Sequence, residues 1–144
     1  MIEIINRQRR HPIELEHWRV FAEQALCAIG AGEENRSATV AFISDRAMRQ
    51  LNNRFRGRNQ TTDVLSFPNE QDDFEKNTSE KNLGDVVISI ERARSQAEEN
   101  KLEFEREVAQ LILHGLLHLC GYDHETDSGE MNKLELRLRR RLHI

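Results

Sequence analysis

The segment Val108-Ala109-Gln110-Leu111-Ile112-Leu113-His114-Gly115-Leu116-Leu117-His118-Leu119-Cys120-Gly121-Tyr122-Asp123-His124 decides how the rest of the chain is read. Val108, Leu111, Ile112, Leu113, Leu116, Leu117 and Leu119 cover nearly the whole circumference of a helix running from Glu105 to Cys120. A helix that is apolar all round is central and buried. Val108 to Tyr122 is the longest uncharged run, 15 residues, and it contains Gln110, His114 and His118. Spanning a bilayer takes ~20 apolar residues, so this is a core helix and no membrane segment is expected. Its neighbours must come from the flanking sequence.

Those neighbours follow outward from the helix. Met1 to Ile5 reads as a short strand. Pro12 suits the first turn of a helix that continues through Leu15, Trp18, Ala22, Ala25 and Ile29 to Gly30 and Gly32. Thr39 to Ile43 reads as a buried strand. Ser44 or Asp45 caps a helix whose inner face is Met48, Leu51 and Phe55. Thr62 to Phe67 is a strand stopped by Pro68, and Leu83 to Ile90 is another. Between them, Asn69 to Asn82 holds five acidic residues and no aliphatic side chain, the pattern of a mobile surface loop. A polar helix over Glu91 to Asn100 precedes the central one. A last helix starts at Asp127 or Ser128, with Met131, Leu134, Leu138 and Leu142 facing inward. This order predicts an α+β fold: a small mixed sheet of about four strands covered by helices, with the histidine-bearing helix at the centre. At 144 residues a single domain over 1–144 is expected.

Composition narrows the classes. The charged fraction is 32% and the net charge −4, as in a soluble domain whose overall charge does not announce a nucleic-acid binder. Two cysteines, Cys27 and Cys120, are too few for a disulfide framework and fit a reducing, cytoplasmic setting. The N-terminal residues lack the basic and apolar regions of a signal peptide, so none is expected.

His114 and His118 are spaced i,i+4, which puts both imidazoles on one helix face. Gly121 can take the left-handed conformation that ends a helix and turns the chain, returning His124 as a third ligand. Three protein ligands plus an open position is the pattern of catalytic zinc. The spacing His-x3-His-x2-Gly-x2-His equals that of the metzincin proteases apart from one residue. Those enzymes carry a Glu after the first histidine as general base, whereas this chain has Gly115. His11, His17 and His143 have no such partners. Cys120 points to another side of the helix and reads as small core filler. For Asp123 two readings stand: a carboxylate that orients a ligand histidine, or turn chemistry.

Seventeen of the 21 basic residues are arginine, and five of them cluster: Arg46, Arg49, Arg54, Arg56 and Arg58. Guanidinium forks match phosphate oxygens. Arg46 and Arg49 read as a solvated helix face. Arg54, Arg56 and Arg58 flank Gly57, where backbone is exposed. Arg137 and Arg139 to Arg141, in the last helix, read as surface residues complementing the helix dipole.

The run His114 to His124 resembles the H-G-x-L-H-L-x-G-Y-D-H signature of the YbeY endoribonucleases. Leu51-Asn52, Phe55-Arg56-Gly57 and Thr62-Asp63-Val64-Leu65-Ser66-Phe67-Pro68 resemble that family's second signature, and Leu83-Gly84-Asp85 its third. The resemblance covers nearly everything from Ile2 onward. It implies a single-domain α+β fold and one zinc ion per chain on His114, His118 and His124. It further implies a single-strand-specific endoribonuclease acting on precursor rRNA and ribosomal particles, in maturation of the 16S rRNA 3′ end and in ribosome quality control. The family's functional arginine falls on Arg56. Two rival readings are a zinc hydrolase of another class, such as a protease or amidase, and a ribosome-associated binding module with a structural zinc.

Overall fold

The computed structural model describes residues 1–30, 35–69 and 81–144. Along the chain run β1 (Ile2–Asn6), α1 (Leu15–Ile29), β2 (Arg36–Ile43), α2 (Asp45–Arg56), β3 (Val64–Pro68), β4 (Lys81–Ser89), α3 (Ile90–Glu99), α4 (Phe104–Leu119) and α5 (Glu130–Leu142). The four strands form one mixed sheet in the order β1-β2-β4-β3. β1 and β4 each pair parallel with β2, and β3 closes the far edge antiparallel to β4. The expected α+β architecture is therefore present.

Period-two alternation sorts the sheet's side chains between two layers. Ala38, Val40 and Phe42 of β2 and Val86 and Ile88 of β4 face the main core, which α1, α4 and α5 complete with Trp18, Ala22, Ile112, Leu116, Met131 and others. Val87 and Leu65 point the other way, under Met48 of α2, with Leu51 and Phe67 at the margin. Along α4, Val108, Ile112, Leu113, Leu116 and Leu117 are fully buried. The apolar circumference read from the sequence is thus satisfied by the sheet on one side and α1, α3 and α5 on the others.

Several boundaries differ from those the sequence predicts. α1 begins at Leu15 rather than at Pro12. Before it, the Gln8 side chain closes a turn, donating to the His11 carbonyl at 2.7 Å and accepting from the His11 N–H at 3.0 Å. β2 starts at Arg36, three residues earlier than Thr39. Arg36 is buried, and its guanidinium donates to the Leu26 and Gly30 carbonyls at the end of α1; a charge used to satisfy helix-end carbonyls leaves no hydrophobic signal. α5 starts at Glu130, and the Asp127 carboxylate accepts from the Gly129 and Met131 N–H groups ahead of it. Those two bonds hold Asp127 below the usual carboxylate range. On α2 the buried partner of Met48 is Asn52, not Phe55, which is 58% exposed. The Asn52 amide donates to the Gln60 carbonyl at 2.8 Å and anchors the segment after the helix. The expected surface loop falls on residues 70–80, outside the described residues, while Lys81 and Asn82 already belong to β4.

Candidate metal centre

α4 carries His114 and His118 one turn apart, on the face opposite Ile112 and Leu116. Their Nε2 atoms are 3.1 Å apart. Two nitrogens each ~2.0–2.1 Å from one tetrahedral ion sit about 3.4 Å apart, so the pair is already at a chelating separation. The helix ends at Cys120, and Gly121 follows with φ +97°. That left-handed residue is what reverses the chain. The Gly121 N–H donates to the His118 carbonyl and the Tyr122 N–H to the Leu117 carbonyl. The reversal brings the His124 ring to 5.9 Å from that of His114 and 5.6 Å from that of His118. One nitrogen from each of the three lies within 4.8 Å of the others, the one such grouping of His, Cys, Asp or Glu among the described residues.

Hydrogen bonds fix two of the rings. His114 Nδ1–H donates to Glu135 of α5, at 3.1 and 3.2 Å from its two oxygens. His118 Nδ1–H donates to the Tyr122 carbonyl at 2.9 Å. In both rings Nε2 is then the nitrogen left to face the common point, as in metal-ligating histidines. Burial, and after it the neighbouring His114, lower the His118 pKa, so this imidazole is neutral at physiological pH and able to bind a cation. Glu135 is 7% exposed. Burial alone would raise its pKa, but the bond from His114 and the charge of Arg139 outweigh it and keep the group ionised. Arg139 Nη2 donates to Glu135 Oε1 at 3.1 Å.

The same cleft, about 390 Å³, is lined by Arg56, Thr62, Asp63, Ser66 and the three histidines. Arg56 arrives from the last turn of α2, which Gly57 ends. Its guanidinium makes no hydrogen bond or ion pair with another described residue, and it faces the cleft. Arg54 and Arg58 do not line it. Arg49 donates to the Asn59 side chain at 3.1 Å, bracing the loop. Cys120 lies outside the histidine group, its sulfur 3.7 Å from Arg36 Nη1. The Asp123 carboxylate accepts from the Glu125 N–H at 2.9 Å, which decides between its two readings in favour of turn chemistry.

The carboxylate that does orient a histidine, Glu135, was not read from the sequence, and Arg139 was assigned to the surface. The signal was present: Met131, Glu135 and Leu138 recur at i, i+4, i+7 on α5, so an acid interrupts an inward stripe. Gly115 also acquires a reason. A Cβ there would stand 2.5 and 2.9 Å from the two Val86 methyls and 3.3 Å from Ser66 Oγ. The place where the metzincin spacing puts a glutamate is pressed against β4 and has no room for any side chain.

These features define a hydrolase acting on RNA, an endoribonuclease, once set beside known proteins. The chain belongs to the YbeY family: the model of that family, described as Endoribonuclease YbeY, matches residues 3–143. Among its relatives, Endoribonuclease YbeY of Clostridioides difficile is 43% identical over 78% of this chain and 75% of its own length. Endoribonuclease YbeY of Alkaliphilus metalliredigens is 39% identical over 92% of this chain and 88% of its own. The solution structure of TM1509 from Thermotoga maritima superposes with a TM-score of 0.66 at 27% identity, over 99% of this chain and 89% of that one.

Proposed function

We propose that this chain is a zinc-dependent, single-strand-specific endoribonuclease, active as one domain over residues 1–144, that acts in the cytoplasm on precursor rRNA within ribosomal particles. In this reading it matures the 3′ end of 16S rRNA and takes part in ribosome quality control. The observation that carries the reading is the convergence of three imidazoles and the Arg56 guanidinium in one open cleft. His114, His118 and His124 would hold the ion, a donor set of neutral nitrogens that suits zinc. The chemistry such an ion supplies when bound is polarisation of a phosphoryl oxygen and acidification of a water.

The remaining work falls to side chains. Arg56 binds the scissile phosphate with its planar fork and stabilises the charge that grows on the phosphoryl oxygens. Glu135 and the Tyr122 carbonyl keep two imidazoles in the tautomer that presents Nε2. Asp63 and Glu125 line the cleft and carry the carboxylates able to accept a proton from the attacking oxygen. Position 115 cannot contribute a base, which weighs against peptide hydrolysis by the metzincin route. Three ligands rather than four weigh against a purely structural ion.

The test is cleavage of single-stranded and duplex RNA beside casein, with and without chelator, on protein purified without a His tag. Expected are about one zinc per chain, cleavage of single-stranded RNA that chelator abolishes, and intact casein. Chelator-insensitive cleavage would overturn the metal assignment, and duplex cleaved as fast as single strand would overturn the strand preference.

A further inference from the structure

Beside the cleft, α2 leaves an aromatic ring in water. Phe55 is 58% exposed; the other exposed large apolar side chains among the described residues, Met1, Leu15, Val20 and Leu136, are not aromatic and lie before β1 and on α1 and α5. Phe55 immediately precedes Arg56, the cleft's guanidinium. Its ring meets that of Phe67 edge to face, with centroids 5.3 Å apart and planes at 67°. Phe67 belongs to β3, an edge strand of the sheet, and its neighbours Ser66 and Pro68 line the cleft. The Arg54 guanidinium carbon lies 5.5 Å from the Phe55 centroid. An exposed ring thus packs on a second ring on the α2 face of the edge strand, flanked on both sides in sequence by arginines, of which Arg56 reaches the cleft.

What sets this ring apart is its setting: an open π face between two arginines next to the cleft, a combination that suits a polyanion which also carries flat apolar groups. A single strand of RNA fits both demands. Its bases are free to stack on aromatic side chains while arginine follows the phosphates. A duplex keeps its bases stacked inside and presents only phosphate and groove edges. We propose that Phe55, braced by Phe67, is the platform on which a base next to the scissile phosphate stacks, and that this ring supplies the preference for single strands. The proposal rests on the endoribonuclease reading and adds to it the residue that recognises the substrate's bases.

The experiment uses the zinc-loaded full chain and a fluorescein-labelled single-stranded RNA, beside a strand of equal length with abasic positions around the cleavage site. Variants are Phe55→Ala, Phe55→Leu and Phe55→Trp. Base stacking lost to alanine is expected to raise KM by about 5- to 150-fold, with zinc content and Tm unchanged and the effect on KM rather than kcat. Phe55→Leu, apolar but without a π face, is expected to match Phe55→Ala, and Phe55→Trp to bind at least as tightly as the wild type. On the abasic strand all forms are expected to bind alike. Wild-type KM in Phe55→Leu, or an equal loss on both strands, overturns the stacking role and points to packing or to a protein partner for the ring. Failure of the wild type itself to cleave the base-bearing strand would instead bring down the endoribonuclease reading, and the platform with it.

Discussion

The histidine wall of the cleft and the arginine wall are held by opposite means. On one side, α4 is locked between sheet and helices, and His114 and His118 each give their second nitrogen to a fixed acceptor, Glu135 or the Tyr122 carbonyl. On the other, Arg56 leaves the last turn of α2, and its guanidinium touches no described partner. The difference matches the chemistry proposed for each wall. Metal ligands must converge within a few tenths of an ångström before the ion arrives, and packing against a dense core supplies that precision. A phosphate-binding guanidinium gains from remaining free to form its paired hydrogen bonds when substrate comes. Damage to the histidine wall should therefore appear as lost metal or lost stability, and damage to the arginine wall as lost turnover in a metal-loaded, stable protein.

The strongest way to break the comparison is to remove a ligand. His118→Ala is expected to reduce zinc from about one per chain to background in elemental analysis and to abolish cleavage. Full metal content in this variant would mean that the three imidazoles are not the site.

On the opposite wall, Arg56→Ala is expected to keep its zinc and its Tm and to cut RNA more slowly by ~10²–10³-fold, the loss typical of a donor to transition-state charge. Arg56→Lys should recover little, because a point charge does not replace a fork. A fall in zinc content or Tm in Arg56→Ala would erase the distinction between the walls.

Smaller again is the expected effect of Glu135→Gln. The amide can still accept from His114 Nδ1–H, but the negative charge that raises the ligand's basicity is gone and Arg139 loses its partner. Loss of such a supporting carboxylate typically costs ~10–100-fold in metal affinity, measurable by zinc competition with a chromophoric chelator. Unchanged affinity would show that packing alone orients the ring.

How much of this was legible differs between the walls for the same physical reason. The histidine helix announces itself, since ligand spacing and a near-continuous apolar surface are local properties of one segment. Gly121 completes the signal, and the return of His124 to the other two histidines follows from it. Glu135 is not legible because it acts through a tertiary contact from α5, and the Tyr122 carbonyl because a main-chain acceptor carries no residue-type signal, although it lies only four residues from His118. Phe55 was assigned to the inner face because its spacing from Met48 is right for a helix; the helix's last turn overhangs the edge strand, so the same spacing leaves the ring in solvent. Arg139 departs in the other direction from its surface reading, and Arg36 gives no signal in the sequence at all. Both carry charge inward onto partners that a one-dimensional reading does not contain, the end of α1 and the acid beside a ligand histidine.

The finest test of the histidine wall is Gly115→Ala, where two effects of similar size oppose each other. Replacing a helical glycine by alanine favours the helix by ~0.8–1.0 kcal/mol. The added Cβ, however, would stand 2.5 Å from Val86 Cγ1 and 2.9 Å from Cγ2, and overpacking of this kind costs ~1–3 kcal/mol. Val86 is fully buried and branched at Cβ, so it has no alternative rotamer space to retreat into, and the steric cost should win. The net expectation is a loss of up to about 2 kcal/mol, a fall in Tm of several degrees, and weaker zinc binding because the next residue toward the N-terminus is His114. Removing the two methyls relieves the clash, so in a Val86→Ala background the same substitution should be neutral or stabilising. That reversal of sign, read by denaturant unfolding of the four proteins in the cycle, separates contact with the sheet from any intrinsic demand of the helix. A Gly115→Ala protein as stable as the wild type would show that α4 can move away from β4, and that the histidine wall is less firmly held than its packing indicates.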